Sequence, residues 1–240
     1  MKEIKWSFGV TSEFFKDDPQ WAKDIIDEDF DTLLLLTKEI VSTRKNVAFL
    51  KCPAHTDFLK NTYVFKSPFD INFDISIEDG FAKVHCENIS QEMFDHIVDL
   101  RFLHDSEKGI SQYPLIGVNF LNTLISDESL LLQVFPAFMH YNDFTAKTTV
   151  IPGEFDISKW TRPVELVFEI KNKKERIEIK KGDALSYFKF HTSDTVKVEK
   201  MAVPWDEIKI CDTLRDSNRY RPLKERYSAY EQHKNNLTND

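Results

Sequence analysis

The chain has 240 residues, of which 41% are hydrophobic and 30% charged, and its 32 basic and 40 acidic side chains give a formal charge of −8. This composition is that of a globular protein and excludes an intrinsically disordered chain. A net acidic chain repels nucleic acid at long range, so we expect no nucleic-acid partner without a concentrated basic patch.

Membrane and export signals are not found in the sequence. No uncharged apolar run reaches the roughly 18 residues that a membrane span requires, and residues 1–6 are not the start of an apolar secretory signal. The cysteines, Cys52, Cys86 and Cys211, are odd in number and far apart, which predicts reduced thiols rather than disulfides. We therefore expect a soluble protein of the cytoplasm, without a membrane partner.

The first predicted element is a short amphipathic helix at residues 19–29, within an N-terminal helical segment at 1–31. Pro19 is a residue typical of a helix start, and Trp21 and Ile25 lie four residues apart on one face. The sequence therefore predicts a helix that packs through these two side chains.

Short β-rich runs follow at residues 47–50, 62–65 and 71–77. The last alternates strictly, since apolar side chains occupy every second position from Ile71 to Ile77. Glu78-Asp79-Gly80 is typical of a turn, so residues 81–86 are predicted to return as the partner strand of a hairpin.

A helix is predicted at residues 90–102, where Ser90 can cap the first turn and apolar residues recur at helical spacing. Strand-like runs resume after it, at 115–121, 130–135, 145–151, 164–170, 176–179, 185–190 and 195–201. The last predicted element is a helix at residues 219–234, in which Pro222 fits the first turn and Leu223 and Tyr227 share a face.

About ten short strands separated by turn signals predict a mainly β, antiparallel fold of the β-sandwich or jelly-roll type, with peripheral helices. We expect one domain over residues 1–240, with a β core of two packed sheets at about 45–203. The predicted core residues are Phe49, Phe65, Ile71, Phe73, Ile75, Val84, Leu131, Phe135, Phe168, Leu185 and Phe188.

His55, Asp57 and His191 are candidate metal ligands. Two histidines and one carboxylate can form the facial triad of non-haem iron, which leaves positions open for oxygen and a co-substrate. However, 2-oxoglutarate is usually held by an Arg-x-Ser pattern about ten residues past the second histidine, and only Lys197 and Lys200 lie at that distance from His191. An Fe(II) oxygenase-like enzyme is therefore an alternative, and the expectation is that the protein holds no metal and no other cofactor.

Cys52, His55, His85 and Cys86 contain the residue types of a tetrahedral zinc site. Neighbouring residues of a strand point to opposite faces, so His85 and Cys86 cannot both turn toward one metal. The sequence instead predicts a buried Cys86 and an exposed His85. Cys52 lies beside Lys51, but no partnered base is evident that would make it a nucleophile.

A basic run lies between residues 171 and 181. It contains Lys171, Lys173, Lys174, Arg176, Lys180 and Lys181. Such a run could bind phosphate, but no aromatic residue is interleaved in it, as single-stranded nucleic acid would require. We therefore predict the solvated tip of a hairpin between the strands at 164–170 and 176–179, where lysines deter edge-to-edge pairing.

Two stretches, at about 50–71 and 151–185, resemble a family of proteins without assigned activity that tailed phages carry, marine phages among them, with distant bacterial relatives. The motifs are Leu50–Ala54, Asp57, Lys60–Thr62, Lys66–Ile71, Ile151–Ile157, Trp160, Arg162–Pro163 and Ile179–Leu185. The resemblance covers about residues 45–200 and implies a viral or phage-related origin and a β-rich core. A phage-encoded protein is expected in the host cytoplasm or in the virion. Within the motifs, Pro152-Gly153 and Gly182-Asp183 are typical turn dipeptides.

No Gly-x-Ser-x-Gly elbow or Gly-rich phosphate loop is present, so the sequence favours a protein without catalytic activity. We expect a binding or structural protein that acts through contacts with another protein or with a second copy of itself. A small-molecule or nucleotide-binding β-barrel is a further alternative, because residues 177–183 resemble the late hairpin of dUTPase-type barrels, although the following Arg and Gln of that pattern are missing.

The two ends of the chain carry opposite charge. Residues 1–31 hold 9 acidic and 4 basic side chains, and five bases lie between Arg215 and Arg226. Exposed ion pairs contribute only about 0–1 kcal/mol each, so apolar contacts must supply most of any attachment. We expect both end helices to pack on the body of the protein or on a second subunit.

Overall fold

The computed structural model describes residues 1–8, 30–43, 48–79, 81–101, 114–159, 163–200, 228–229, 231–232 and 235–236. The strands in this part of the chain are β1 Lys2–Phe8, β2 Leu33–Leu35, β3 Thr62–Lys66, β4 Ile71–Glu78, β5 Phe81–Cys86, β6 Val98–Arg101, β7 Leu115–Ile125, β8 Leu131–Pro136, β9 Thr148–Val150, β10 Gly153–Asp156, β11 Pro163–Ile170, β12 Lys174–Ile179, β13 Ala184–His191 and β14 Val196–Lys200. The α-helices are α1 Leu36–Thr43, α2 Pro53–Leu59, α3 Gln91–Ile97 and α4 Asp143–Lys147.

The strands form three sheets. The large sheet has the order β14-β1-β7-β11-β9, with β6 also paired to β7; the central sheet has the order β10-β8-β13-β3-β2; and the small sheet has the order β12-β4-β5. Every pair is antiparallel except β1 with β14. The predicted mainly antiparallel β fold is confirmed, but the expected two packed sheets are three in the described residues.

The β core starts earlier in the chain than residue 45. Residues 2–8, placed by the sequence in a helical N-terminal segment, form β1 between β7 and β14 of the large sheet. Ile4 is fully buried there. A strand of this length is stabilised by its two distant neighbours, and no local pattern in residues 1–8 reports them.

The central sheet has apolar side chains on both faces. Along β3, Tyr63 and Phe65 point into the main core, while Val64 between them points to the opposite face. On that outer face, α1 contributes the buried Leu36 and α2 the buried Leu59. Because side chains alternate along a strand, burial of consecutive residues shows that both faces of this sheet are covered in this region.

The main core lies between the three sheets. Phe65 of the central sheet stacks on Phe188 with ring centroids 5.0 Å apart and meets Phe120 of the large sheet edge to face at 5.9 Å. Tyr63 joins the same two sheets, because its hydroxyl donates to the carbonyl oxygen of Val196 at 3.0 Å. Stacked and edge-to-face rings are the favoured aromatic arrangements, so these contacts hold the sheets face to face.

Most of the predicted core is confirmed. Phe65, Ile71, Phe73, Ile75, Phe168, Leu185 and Phe188 are all buried. Val84 is half-buried against the core, and Phe135 packs in the outer cluster of the central sheet. Leu131 was expected inside but is 42% exposed, since it lies on the outer face of β8 beyond the helices. The side chain of Phe49 lies outside the described residues.

The hairpin of β4 and β5 forms as predicted, with Glu78 paired to Phe81. Asp79 has a φ of 53° in the turn, a conformation that aspartate tolerates. His85 is exposed and Cys86 is buried, as the alternation predicts.

The mid-chain helix is shorter than the predicted 90–102. Ser90 caps it as expected, accepting a hydrogen bond from the backbone N–H of Met93 at 3.2 Å. The helix ends at Ile97, and residues 98–101 form β6, which pairs with β7. Pairing with a distant strand replaces the helical hydrogen bonds here, and a helical spacing of apolar residues cannot report such pairing.

Two predicted strands are helical in part. Residues 48–51 form a turn of 3₁₀ helix where a strand was expected at 47–50. The strand expected at 145–151 begins at Thr148, because residues 143–147 form α4. Asn142 and Thr145 form a capping box at its start, each side chain bonded to the backbone N–H of the other.

Segments of the two stretches at about 50–71 and 151–185 meet in space. They supply the crossovers between the central and small sheets, one from β3 to β4 and one from β12 to β13. Ser67 donates its N–H to the carbonyl of Asp183 at 2.9 Å and accepts from the N–H of Gly182 at 2.8 Å. Asp70 accepts from the N–H of Lys181 at 2.7 Å. These segments therefore form a hydrogen-bonded connection between the central sheet and the small sheet.

Gly182 is required by its backbone conformation. Its φ is 89°, and an added Cβ would meet nothing within 4 Å, so strain alone opposes a side chain. Gly182→Ala should therefore lower the free energy of unfolding by about 1–2 kcal/mol in chemical denaturation.

Gly153→Ala is the matched control for Gly182. Gly153 also has open space around its Cα, but it starts β10 without a left-handed φ, which corrects the expected Pro152-Gly153 turn. This variant should unfold at the wild-type denaturant concentration or slightly higher. Equal losses in the two variants would contradict the role assigned to the Gly182 turn.

Several predictions fall on parts of the chain that the structure does not describe. The helix at 19–29, Cys211, Trp160 and Arg162 lie outside the described residues. Of the helix at 219–234, residues 228–229 and 231–232 are described and helical, as are 235–236. The single-domain organisation stays a prediction. In the described part of the chain, no helix is long and apolar enough to cross a membrane.

Candidate binding surface

The candidate iron ligands do not come together. His55 and Asp57 lie exposed on α2. His191 ends β13 and contacts Gln133 at 3.2 Å and Glu154 at 3.6 Å. Among the described residues, no three His, Cys, Asp or Glu side chains form a group that could hold a metal ion. The geometry gives the oxygenase alternative no support.

The residues considered for zinc are also separated. Cys52 is exposed ahead of α2, and Cys86 is buried in the small sheet. Burial, with a smaller contribution from the charge of Asp74, raises the pKa of the Cys86 thiol to about 12. Cys86 is therefore a neutral thiol at physiological pH and packs as a small apolar side chain.

The basic run is not the tip of a hairpin. The strand before it, β11, belongs to the large sheet, and the strand after it, β12, pairs with β4 of the small sheet. Arg176 forms ion pairs with Asp74 at 3.2 Å and Glu87 at 2.6 Å on the outer face of the small sheet. The run is therefore a crossover between sheets in which Arg176 is already neutralised.

A surface rich in aromatic side chains lies on the outer face of the central sheet. It is formed by Phe58 on α2, Phe135 at the end of β8, and Phe138 and Tyr141 in the following loop 137–142. We call these four residues the aromatic surface. Phe138 is 62% exposed, Tyr141 92% and Phe58 42%.

The three phenylalanine rings of this surface contact one another, and two of them contact a buried tyrosine beneath them. Phe58 lies 5.9 Å from Phe135 and 6.2 Å from Phe138, measured between ring centroids. Tyr187 of β13 lies 5.5 Å from both Phe135 and Phe138, edge to face. The exposed ring of Phe138 is thus anchored on a fully buried aromatic side chain.

A chain of polar contacts fixes the loop to the sheet. The hydroxyl of Tyr187 accepts from the backbone N–H of Met139 at 3.1 Å and lies 2.7 Å from Nδ1 of His140. The other ring nitrogen of His140, Nε2, lies 3.6 Å from Oε1 of Glu39.

Glu39 is a buried carboxylate at the end of this chain. Lys66 donates to its Oε1 at 2.8 Å. Burial raises the pKa of Glu39, but the hydrogen bonds and charges of His140 and Lys66 outweigh burial, so the net pKa lies below its ordinary value of 4.5. The carboxylate is therefore ionised at neutral pH and holds α1, β3 and the loop together.

The chemistry of this arrangement favours positioning over catalysis. Tyr187 is fully buried and its hydroxyl is occupied by two partners, so no substrate can reach it. Both ring nitrogens of His140 face groups of the protein. What the network does is hold the Phe138–Tyr141 loop in one conformation, which lowers the entropic cost of binding to it.

A cleft opens beside the loop, with a volume of about 360 Å³. Its walls come from the loop, from α4 and from β9, and include Phe138, Tyr141, Phe144 and Val150. This volume lies at the lower end of the roughly 300–1,000 Å³ that ligand pockets span. Phe138 and Tyr141 border both the cleft and the aromatic surface, so the two form one continuous region.

A lysine lies on each side of this region. Lys189 Nζ is 4.4 Å from the centroid of the Phe58 ring, a cation–π distance, and burial lowers the pKa of its amine. Lys171 lines the cleft and donates to the carbonyl oxygens of Thr145 at 3.1 Å and Ala146 at 2.8 Å.

The aromatic surface was not found by sequence reasoning. Phe135 was assigned to the core, and Phe138, Tyr141 and Phe58 were assigned no role. The signal available in the sequence was the run Phe138-Met139-His140-Tyr141 shortly after Pro136, since three ring side chains in a loop after a strand are unusual for a solvated turn.

Comparison with known proteins adds no relative. A scan against protein-family models finds no matching family, and a search of curated proteins finds no match. The candidate site therefore stands on its geometry alone.

Proposed function

We propose that this is a non-enzymatic binding protein that acts through contacts with another protein, and that it does so through the aromatic surface. The observation that carries the proposal is a loop that presents two exposed rings, Phe138 and Tyr141, and is held by contacts of Met139 and His140 with Tyr187 and Glu39. Exposed apolar patches of this kind are typical of protein-binding sites, where Tyr and Phe are enriched.

The resemblance to proteins of tailed phages supports a phage-related structural or accessory role. The motifs of the resemblance include the crossovers at Ser67 and Gly182, which have a structural role. The family that the chain resembles has no assigned activity. Proteins encoded by genes adjacent to its own are therefore the partners to test, together with a second copy of the chain.

The test uses the double variant Phe138→Ser/Tyr141→Ser. Purified wild-type protein is run in analytical ultracentrifugation alone and mixed with each product of a neighbouring gene. We expect one of these samples to show a complex. The double variant should weaken that complex at least tenfold, because interface energy is concentrated in a few aromatic residues.

Phe81→Ser is the matched control. Phe81 is 59% exposed, close to the 62% of Phe138, but it lies on β5 of the small sheet. This variant should bind as the wild type does. A complex that survives the double variant, one that Phe81→Ser weakens equally, or no complex with any of these proteins would contradict the proposal.

The oxygenase alternative has its own test. Stoichiometric iron in protein purified from minimal medium, lost on His55→Ala, would favour it over the binding role. Thermal stabilisation by a nucleotide would favour the nucleotide-binding alternative.

A further inference from the structure

We infer that the cleft beside the aromatic surface binds an acidic segment of a partner protein, inserting one aromatic or leucine side chain between Phe144 and Tyr141 while an adjacent carboxylate meets Lys171. This inference rests on the proposed function and names the chemistry of the partner. It follows from the shape of the cleft, its charge and its continuity with the aromatic surface.

The shape of the cleft selects a single large apolar side chain. Most of its lining residues are apolar or aromatic, among them Pro136, Ala137, Phe138, Tyr141, Phe144, Val150 and Leu185. Phe144 is fixed as the floor, because it is buried and packs edge to face on Phe168 with centroids 5.1 Å apart. The cleft, with a volume of about 360 Å³, has room for one large side chain.

The charge of the cleft selects a carboxylate beside that side chain. The described lining residues include two bases, Lys171 and His140, and no carboxylate. Asp143, on α4, is not among the lining residues. Its carboxylate accepts hydrogen bonds from Lys147 at 2.8 Å and from the backbone N–H of Glu178 at 2.8 Å.

Lys171 is positioned to bind an anion. Two carbonyl oxygens of α4 accept hydrogen bonds from its ammonium group. An ammonium has three N–H donors, so one is left for a partner carboxylate. Because two donors already fix the group, the entropic cost of ordering the side chain is largely met before the partner arrives.

Continuity with the aromatic surface selects a polypeptide rather than a small molecule. Phe138 and Tyr141 line the cleft and also extend over the surface that continues to Phe58. An occupant that covers these exposed rings must reach beyond the cleft. A chain with one anchoring side chain and flanking residues meets that requirement.

The test is fluorescence anisotropy with labelled ten-residue peptides. Each peptide carries one Trp, Phe or Leu with Asp or Glu one or two positions away, in a Gly-Ser background. In a second set Lys replaces the acids, and in a third Ala replaces the anchor. We expect a member of the acidic set to bind wild-type protein at least tenfold more tightly than its Lys and Ala counterparts.

Lys171→Glu should weaken binding of that acidic peptide at least tenfold, and Lys171→Gln should weaken it less. Lys174→Glu is the matched control, since it makes the same change of charge at an exposed lysine of β12 and should leave binding unchanged. Circular dichroism and the melting temperature establish that each variant is folded. Raising the salt to 0.5 M should weaken the wild-type interaction.

Three results would overturn the inference: no acidic peptide binding better than its Lys counterpart, equal binding by Lys171→Glu and wild type, or equally tight binding of free phenylacetate. None of them would touch the proposed function, whose test is the loss of a protein complex in Phe138→Ser/Tyr141→Ser. If Lys171→Glu abolishes peptide binding but leaves the protein complex intact, the partner in that complex binds the aromatic surface and not the cleft.

Discussion

Replacing Phe65 with alanine should lower the free energy of unfolding by about 3–5 kcal/mol. Phe65 is fully buried and contacts Phe188 in its own sheet and Phe120 in the large sheet. Removing the ring leaves a cavity where two sheets meet, and close-packed neighbours relax into such a space only partly. The melting temperature of a chain of this size should fall by on the order of 10 °C.

Phe65→Leu separates the loss of volume from the loss of the aromatic ring. Because leucine keeps much of the apolar volume, Phe65→Leu should lower the free energy of unfolding by at most about half as much as Phe65→Ala does. Phe81→Ala is the control for an exposed phenylalanine and should change the free energy of unfolding by less than about 0.5 kcal/mol. Similar denaturation midpoints for Phe65→Ala and Phe81→Ala would show that the sheets are not joined through Phe65.

Glu39→Gln should destabilise the fold by about 2–3 kcal/mol. The change keeps the shape of the side chain but removes the charge that Lys66 and His140 face. Lys66 retains some access to water, which limits the penalty for its unpaired ammonium. Chemical denaturation at pH 7 measures the effect, and Glu128→Gln, whose exposed carboxylate pairs with Lys2, should leave the midpoint unchanged.

The same carboxylate makes stability depend on pH. Its folded-state pKa is lower than its ordinary value of 4.5, so its contribution is fully present above about pH 4.5. The contribution is lost as the pH falls through the folded-state pKa, because the unfolded chain takes up the proton first. Wild-type stability should therefore decline more steeply below pH 4.5 than that of Glu39→Gln. Parallel declines of the two proteins would contradict this assignment.

Glu39→Gln should also make loop 137–142 more mobile. His140 faces Glu39 through Nε2 and Tyr187 through Nδ1, so losing the carboxylate removes one of its two supports. Hydrogen exchange at the backbone N–H of Met139, which donates to Tyr187, should become faster in the variant.

Local periodicity in the sequence was sufficient for the hairpin of β4 and β5 and for much of the core. The alternation from Ile71 to Ile77 predicted one buried face, and the structure buries Ile71, Phe73 and Ile75 there. Gly182 was predicted as a turn and has the φ that only glycine adopts easily. Such features are encoded by adjacent residues, so a single sequence reports them.

Pairing over long distances decided where the other elements begin and end. Residues 2–8 became a strand because β7 and β14 lie on either side of them, and residues 98–101 left the predicted helix to pair with β7. Leu131 has the same apolar character as Leu132, yet only the second faces the core. Which face of β8 is covered depends on where β13 and the helices lie.

Composition, turn chemistry and the spacing of apolar residues thus determined the mainly β class, the hairpin of β4 and β5 and the cap of α3. The tertiary structure alone assembled the candidate binding surface. Glu39, His140 and Tyr187 come from three separate segments, and their contact depends on the order of strands in the central sheet. A ring such as Phe138 is apolar in the sequence whether it is buried or exposed, because exposure is a property of the neighbours that the fold supplies.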